Sequence, residues 1–102
     1  MKNVINNLNK AFENRARLGI MAVLMANDTV DFNTLKETLQ LTDGNLASHS
    51  NALEKAGYVQ VEKRFVGKKT NTTFQATKEG KKAFNGHLNA LEQLIQNNKK
   101  DN

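Results

Sequence analysis

LTDGNLASHSNALEKAGYVQVEKRFVGKK, residues 41–69, holds the two transitions on which the fold depends. Thr42 is a good N-cap, and with Thr42 there Leu41 falls at N′ and Leu46 at N4, the pair that forms a hydrophobic staple. A helix therefore opens at Thr42, directly after a tight turn. Leu46 and Leu53 recur at helical spacing, with His49 and Ser50 on the same inward side. Ala56-Gly57 ends the helix, because glycine suits the left-handed position just past a helix terminus. From Tyr58 the period changes: YVQVEKRFV and NTTFQAT are β-branched and aromatic and flank GKK, the pattern of a hairpin.

Working outward, RARLGIMAVLMA, about residues 14–26, is apolar nearly all round and predicts a buried central helix. VINNLNKAF places Val4, Leu8 and Ala11/Phe12 at helical spacing, which predicts a first helix near 3–12. NDTVDF offers a turn and a very short strand at Val30 to Phe32, after which Asn33 can cap a short helix with Leu35 and Leu39 facing inward. Thr77 can cap a last long helix in which Phe84, Leu88, Leu91 and Ile95 recur on one side. The fold class expected is mainly α with a β-hairpin: a winged helix-turn-helix with extra terminal helices for dimerisation. Residues 1–97 read as one domain, with 98–102 as a frayed C-terminal tail.

The chain of 102 residues supports one compact domain, and its 38% hydrophobic and 25% charged residues are ordinary for a folded soluble protein. No cysteine is present, which excludes disulfides and thiolate metal sites and fits a reducing, cytoplasmic setting. The longest apolar run, IMAVLMA at 20–26, is too short for a bilayer, and MKNVINNLNK has no apolar signal region. Net charge is +5, and its distribution says more than its total. From Lys55 to Lys82 eight basic residues face only Glu62 and Glu79, so the positive charge is local and a polyanionic partner is indicated.

On the helix from Thr42, the side opposite Leu46 and Leu53 carries Gly44, Ser48, Asn51 and Lys55, with Asn45, Ala47 and Ala52 beside it. Small uncharged side chains at a helix N-terminus let free backbone N–H groups approach a groove closely, and Ser and Asn can address base edges. The plainer reading of the same residues is a capping turn followed by incidental surface polars. The hairpin favours nucleic acid. Lys63, Arg64, Lys68 and Lys69 cluster at or near its turn, and Lys78, Lys81 and Lys82 follow, more cations than edge protection of a strand requires. His49 and His87 lack a ligand pattern, Met21 and Met25 belong to the central helix, and no nucleophile–base set or phosphate loop is present. Neither an enzyme nor a metal or cofactor is indicated, and no residue argues for an effector. Pairing of two copies through Val4, Leu8, Phe84, Leu88, Leu91 and Ile95 would cover the terminal helices and present two reading helices to two half-sites; alternatively both ends fold back on their own domain.

The run LTDGNLASHSNALEKAGYVQVEKRFVGKKTNTTFQATKEGKKAF, extended back through DFNTLKETL and RLGIMAVL, resembles the small winged-helix DNA-binding regulators of the MarR/ArsR-like group. Their pattern is L-T-D-G-N-L-x-x-H, L-E-x-A-G-Y-V, a G-K/R-K wing and T-x-x-G before the last helix. The resemblance implies a homodimeric transcriptional regulator on duplex DNA. Gly44, Asn45, Ala47, Ser48 and Asn51, with Thr42 and Lys55, would form the reading helix; Lys68 and Lys69 would lie at the wing tip; and Arg17, at the arginine that opens the central helix, would join Lys63 and Arg64 as a backbone contact. Ser50 stands where relatives usually have leucine, which implies a weaker core there or a different packing of the helix; Asn51 and Ala52 stand where lysine is frequent and Asn71 where arginine is frequent, which implies fewer phosphate contacts. The metal-sensor set of the arsenical type is missing. A second class of function, a winged-helix module that docks another protein through its apolar terminal faces, remains the alternative.

Overall fold

A computed structural model describes residues 4–98. Two short 3-10 turns, Val4–Asn7 and Lys10–Phe12, lead into α1 (Arg15–Ala26), β1 (Val30–Asp31), α2 (Phe32–Leu39), α3 (Asp43–Lys55), β2 (Val59–Val66), β3 (Lys69–Ala76) and α4 (Lys78–Asn97). The strands form one antiparallel sheet in the order β1-β3-β2. β2 and β3 pair from Val59↔Ala76 to Val66↔Lys69, leaving Gly67 and Lys68 as a two-residue turn. Gly67 has φ 67° and Lys68 does not share that sign, the pattern of a type II′ hairpin turn. The stub strand pairs Val30 with Phe74 and Asp31 with Thr73.

The centre of the core is α1, whose Ile20, Met21 and Leu24 are fully buried with Leu35 of α2, Leu46 and Leu53 of α3, and Phe74 of β3. Its burial is not all-round: Leu18, Ala22 and Ala26 face solvent.

The helix-turn-helix is closed by matched devices at its two C-terminal ends. After α2, the N–H of Leu41 donates to Lys36 O and that of Gln40 to Glu37 O, with Gln40 left-handed at φ 53°. After α3, the N–H of Tyr58 donates to Leu53 O and that of Gly57 to Glu54 O, with Gly57 at φ 84°. Both are Schellman arrangements, which satisfy carbonyls that a helix end leaves unpaired. Between them Thr42 Oγ1 accepts from the N–H of Asn45 at 3.1 Å, so the expected cap is formed.

Three expectations are corrected. The continuous first helix near 3–12 is two 3-10 turns separated at Leu8-Asn9 (residue 3 lies outside the described residues). Asn9 turns the chain: its side chain accepts from the N–H of Ala11 at 2.9 Å, and its own N–H donates to His87 Nδ1 at 3.0 Å instead of to a helical carbonyl. The cap of α2 is Asp31 rather than Asn33, because the β1–β3 pairing carries Asp31 into the helix with extended backbone. Phe84, expected at a dimer seam, lies in the chain's own core, edge-on to Phe12 at 5.2 Å.

Phe12 ties the N-terminal segment to α4, stacking also near Tyr58 and His87, both at 5.5 Å between ring centroids. The 4–7 segment folds back along α4, so Val4 and Leu8 are half-buried within one chain. The tail expected at 98–102 falls beyond Asn98 outside the described residues.

Candidate nucleic-acid interface

The staple and cap that start α3 also decide which of its residues face outward. Leu46, Ser50 and Leu53 are buried, so the helix presents Gly44, Asn45, Ala47, Ser48, Asn51 and Lys55 to solvent, together with the cap residue Thr42. A side chain added at Gly44 would meet open space. Buried Ser50 needs an acceptor, and its hydroxyl donates to Ala47 O at 3.2 Å, one turn back along the helix.

Strand alternation places Val59, Val61, Lys63 and Phe65 of β2, and Thr70, Thr72, Phe74 and Ala76 of β3, on one face of the hairpin. The lower part of that face is core. Above it, Val61, Lys63 and Thr72 form one wall of an open cleft of about 490 Å³ whose opposite wall is Ala47, Ser48 and Asn51 of α3. The cleft floor reaches Ser50 and Phe74, and Glu54 and Phe32 close its sides. Reading-helix candidates and a wing cation therefore share one concave surface.

Electrostatics sharpen the picture. Asp43, at the front of α3, pairs with Lys36 at 2.9 Å, which sets a cation beside the carboxylate at the end that a phosphate would approach. Arg64 pairs with Glu62 at 3.2 Å, both exposed, an interaction that competes only weakly with water or with a stronger anion. Lys55, Lys63, Lys68 and Lys69 have no carboxylate partner among the described residues. Lys68 and Lys69 sit at the wing tip beyond the cleft, and Lys55 lies one turn past it on α3.

Arg17 opens α1, as the resemblance implies, but its guanidinium is turned to the chain's own atoms and not to a DNA backbone. It is half-buried, its Nε donates to Ala11 O at 2.7 Å and its Nη1 to His49 Nδ1 at 3.3 Å. It braces the N-terminal segment against α1 and α3. His49, expected to be a hydrogen-bonded packing residue, is its partner. Sequence reasoning passed over two residues of this surface. Lys36 was not legible, because no glycine announces the left-handed turn at Gln40 that returns the chain towards Asp43. Phe65 was legible in the alternation Val59-Val61-Lys63-Phe65, which carries an aromatic ring past the end of the core.

A family model for the winged helix DNA-binding domain matches residues 16–95. The chain belongs to that family. This winged-helix protein is 36% identical over 88 residues to an uncharacterised protein of Methanocaldococcus jannaschii, covering 86% of this chain and 96% of the relative. A transcriptional regulator homologue from Pyrococcus horikoshii OT3 superposes with a TM-score of 0.84 at 28% identity, over 94% of this chain and 97% of that one. A MarR-family transcriptional regulator from Silicibacter pomeroyi shares the fold, with a TM-score of 0.63 at 18% identity over 94% of this chain and 69% of that one. The family and fold of this winged-helix protein are those of DNA-binding regulators rather than enzymes. Among its described residues no helix is long and apolar enough to cross a membrane, and no group of three His, Asp or Glu side chains is placed to hold a metal.

Proposed function

We propose that this protein is a transcriptional regulator that binds duplex DNA sequence-specifically as a homodimer, with α3 in the major groove and the hairpin against the flanking backbone and minor groove. One observation carries the reading: the uncharged outer side of α3 shares a cleft with Lys63 of the hairpin, and the lysines on the two elements around it have no carboxylate partner among the described residues. The roles divide by chemistry. Asn45, Ser48 and Asn51, with their short polar groups, suit base edges; Lys55, Lys63, Lys68 and Lys69, with Arg64 once released from Glu62, suit phosphates. Arg17 drops out of the contact set because its guanidinium is engaged internally.

Support for the dimer comes from α4. Leu88, Leu91 and Ile95 form a stripe along it, exposed by 44, 41 and 65%, next to the exposed Ile5. A second copy paired along that stripe would place two α3 helices on two half-sites.

The test is a fluorescence-anisotropy titration with random-sequence duplex at low salt, followed by selection of bound sequences and a sedimentation measurement of the free protein. Binding that weakens steeply with salt, an enriched half-site and a dimeric mass are expected. The same apolar stripe also suits docking to another protein. A monomer that leaves duplex DNA unbound at tens of micromolar would favour that second reading and sink the first.

A further inference from the structure

Phe65 is 78% exposed, the most open of the large apolar side chains among the described residues. It does not sit on a loose loop. It pairs with Thr70 in the last rungs of the hairpin, two residues from a turn with no slack. Its ring lies on the face that carries Val61 and Lys63, so the wall of the α3 cleft continues into it. Lys63 precedes it on that face, Arg64 is its neighbour in sequence, and Lys68 and Lys69 follow across the turn.

A rigid aromatic ring among cations fits a surface that alternates phosphates with apolar carbon. The DNA minor groove is such a surface, with two phosphate rails, walls of deoxyribose C–H and a floor of base edges. An acidic protein face offers charge without those apolar walls at the same spacing. Resting on the DNA-binding reading above, we infer that Phe65 is a minor-groove wedge: it packs between the sugars beside the segment that α3 reads, while Lys68 and Lys69 hold the rails. The inference carries its own specificity. Guanine's 2-amino group projects into the minor-groove floor and obstructs the ring, whereas flexible pyrimidine–purine steps yield to it.

Phe65→Ala is the test variant, since an exposed ring contributes nothing to the core; an unchanged thermal midpoint checks this. The probes are a random 30-base-pair duplex and the same duplex pool made with inosine in place of guanine, which removes the 2-amino group and leaves the major groove unaltered. Wild-type protein is expected to prefer the inosine duplex severalfold. Phe65→Ala should lose that preference and bind about tenfold more weakly, with an unchanged slope of log affinity against log salt, because an apolar contact releases no counterion. Lys68→Ala with Lys69→Ala should flatten that slope instead. If wild type binds DNA but Phe65→Ala matches it on both duplexes, the wedge is overturned while DNA binding stands. The wedge is also overturned if the variant alters sedimentation mass rather than DNA affinity, since the ring would then face a second copy. If wild type binds neither duplex, the DNA-binding reading itself fails and the wedge with it.

Discussion

Gly80 sits where a methyl group cannot. A Cβ there would overlap the carbonyl oxygen of Tyr58, which belongs to the backbone and cannot swing aside. The approach is close because Thr77 fixes it: its N–H donates to Tyr58 O at 3.0 Å, its hydroxyl donates to Gly57 O at 2.7 Å, and it accepts from the N–H of Gly80 at 2.9 Å. Gly80→Ala is expected to destabilise the fold by about 3 kcal/mol, a loss of roughly 10–20 °C in thermal midpoint by calorimetry. Gln40 shows the opposite case. It holds φ 53° without glycine's freedom, so Gln40→Gly should stabilise by about 0.5–1 kcal/mol in urea denaturation, with the helix-turn-helix unchanged. Of these two, the T-x-x-G pattern at Thr77 was legible in the sequence, since a cap residue has a recognisable chemistry. Gln40 was not: glutamine is no signal for a left-handed residue, and tertiary packing of Leu39 and Leu41 imposes it.

Among elements, α3 and the hairpin were readable because each announces itself by a change of period at a punctuating residue, Thr42, Gly57 or Gly67. The first helix was misread for a physical reason. Val4, Leu8 and Phe12 have helical spacing, yet Asn9 between them bonds locally and across to Tyr58 and His87, and those bonds outcompete helix propagation. At this scale the proposed division of labour can be measured. Removing the wing-tip lysines with Lys68→Ala and Lys69→Ala should weaken binding to every duplex alike and reduce the salt slope by roughly 0.9 per lost phosphate contact. Asn45→Ala or Ser48→Ala should leave that slope intact and shift the selected sequence, by about 1–3 kcal/mol for a well-made base contact. Competition titrations across a salt series read both quantities; parallel losses for the two classes would contradict the assignment.

For the molecule as a whole, the same polar and aromatic cluster that misled the reading of the first segment joins that segment to α4 through Phe12, Asn9 and His87. The proposed seam between copies is then left to one stripe of α4 and to Ile5, not to two free helices. Leu91→Glu and Ile95→Glu would set like charges against each other across a two-fold seam without touching the core. Each is expected to shift sedimentation towards the monomer, retain the thermal midpoint of an isolated domain, and weaken binding to a two-half-site duplex more than to a single half-site. Phe84→Glu would unfold the chain instead, since that ring is packed inside it.

The outer positions of α3 have a consequence for how such a protein can change. Gly44, Asn45, Ala47, Ser48 and Asn51 touch little of the interior, while Leu46, Ser50 and Leu53, interleaved with them, hold the helix in place. In the proposed reading, alphabet and scaffold thus occupy separate sets of positions along thirteen residues. A library randomised at the outer five should melt within a few degrees of the parent while diverging in what it selects, so that retargeting proceeds without a detour through misfolded intermediates.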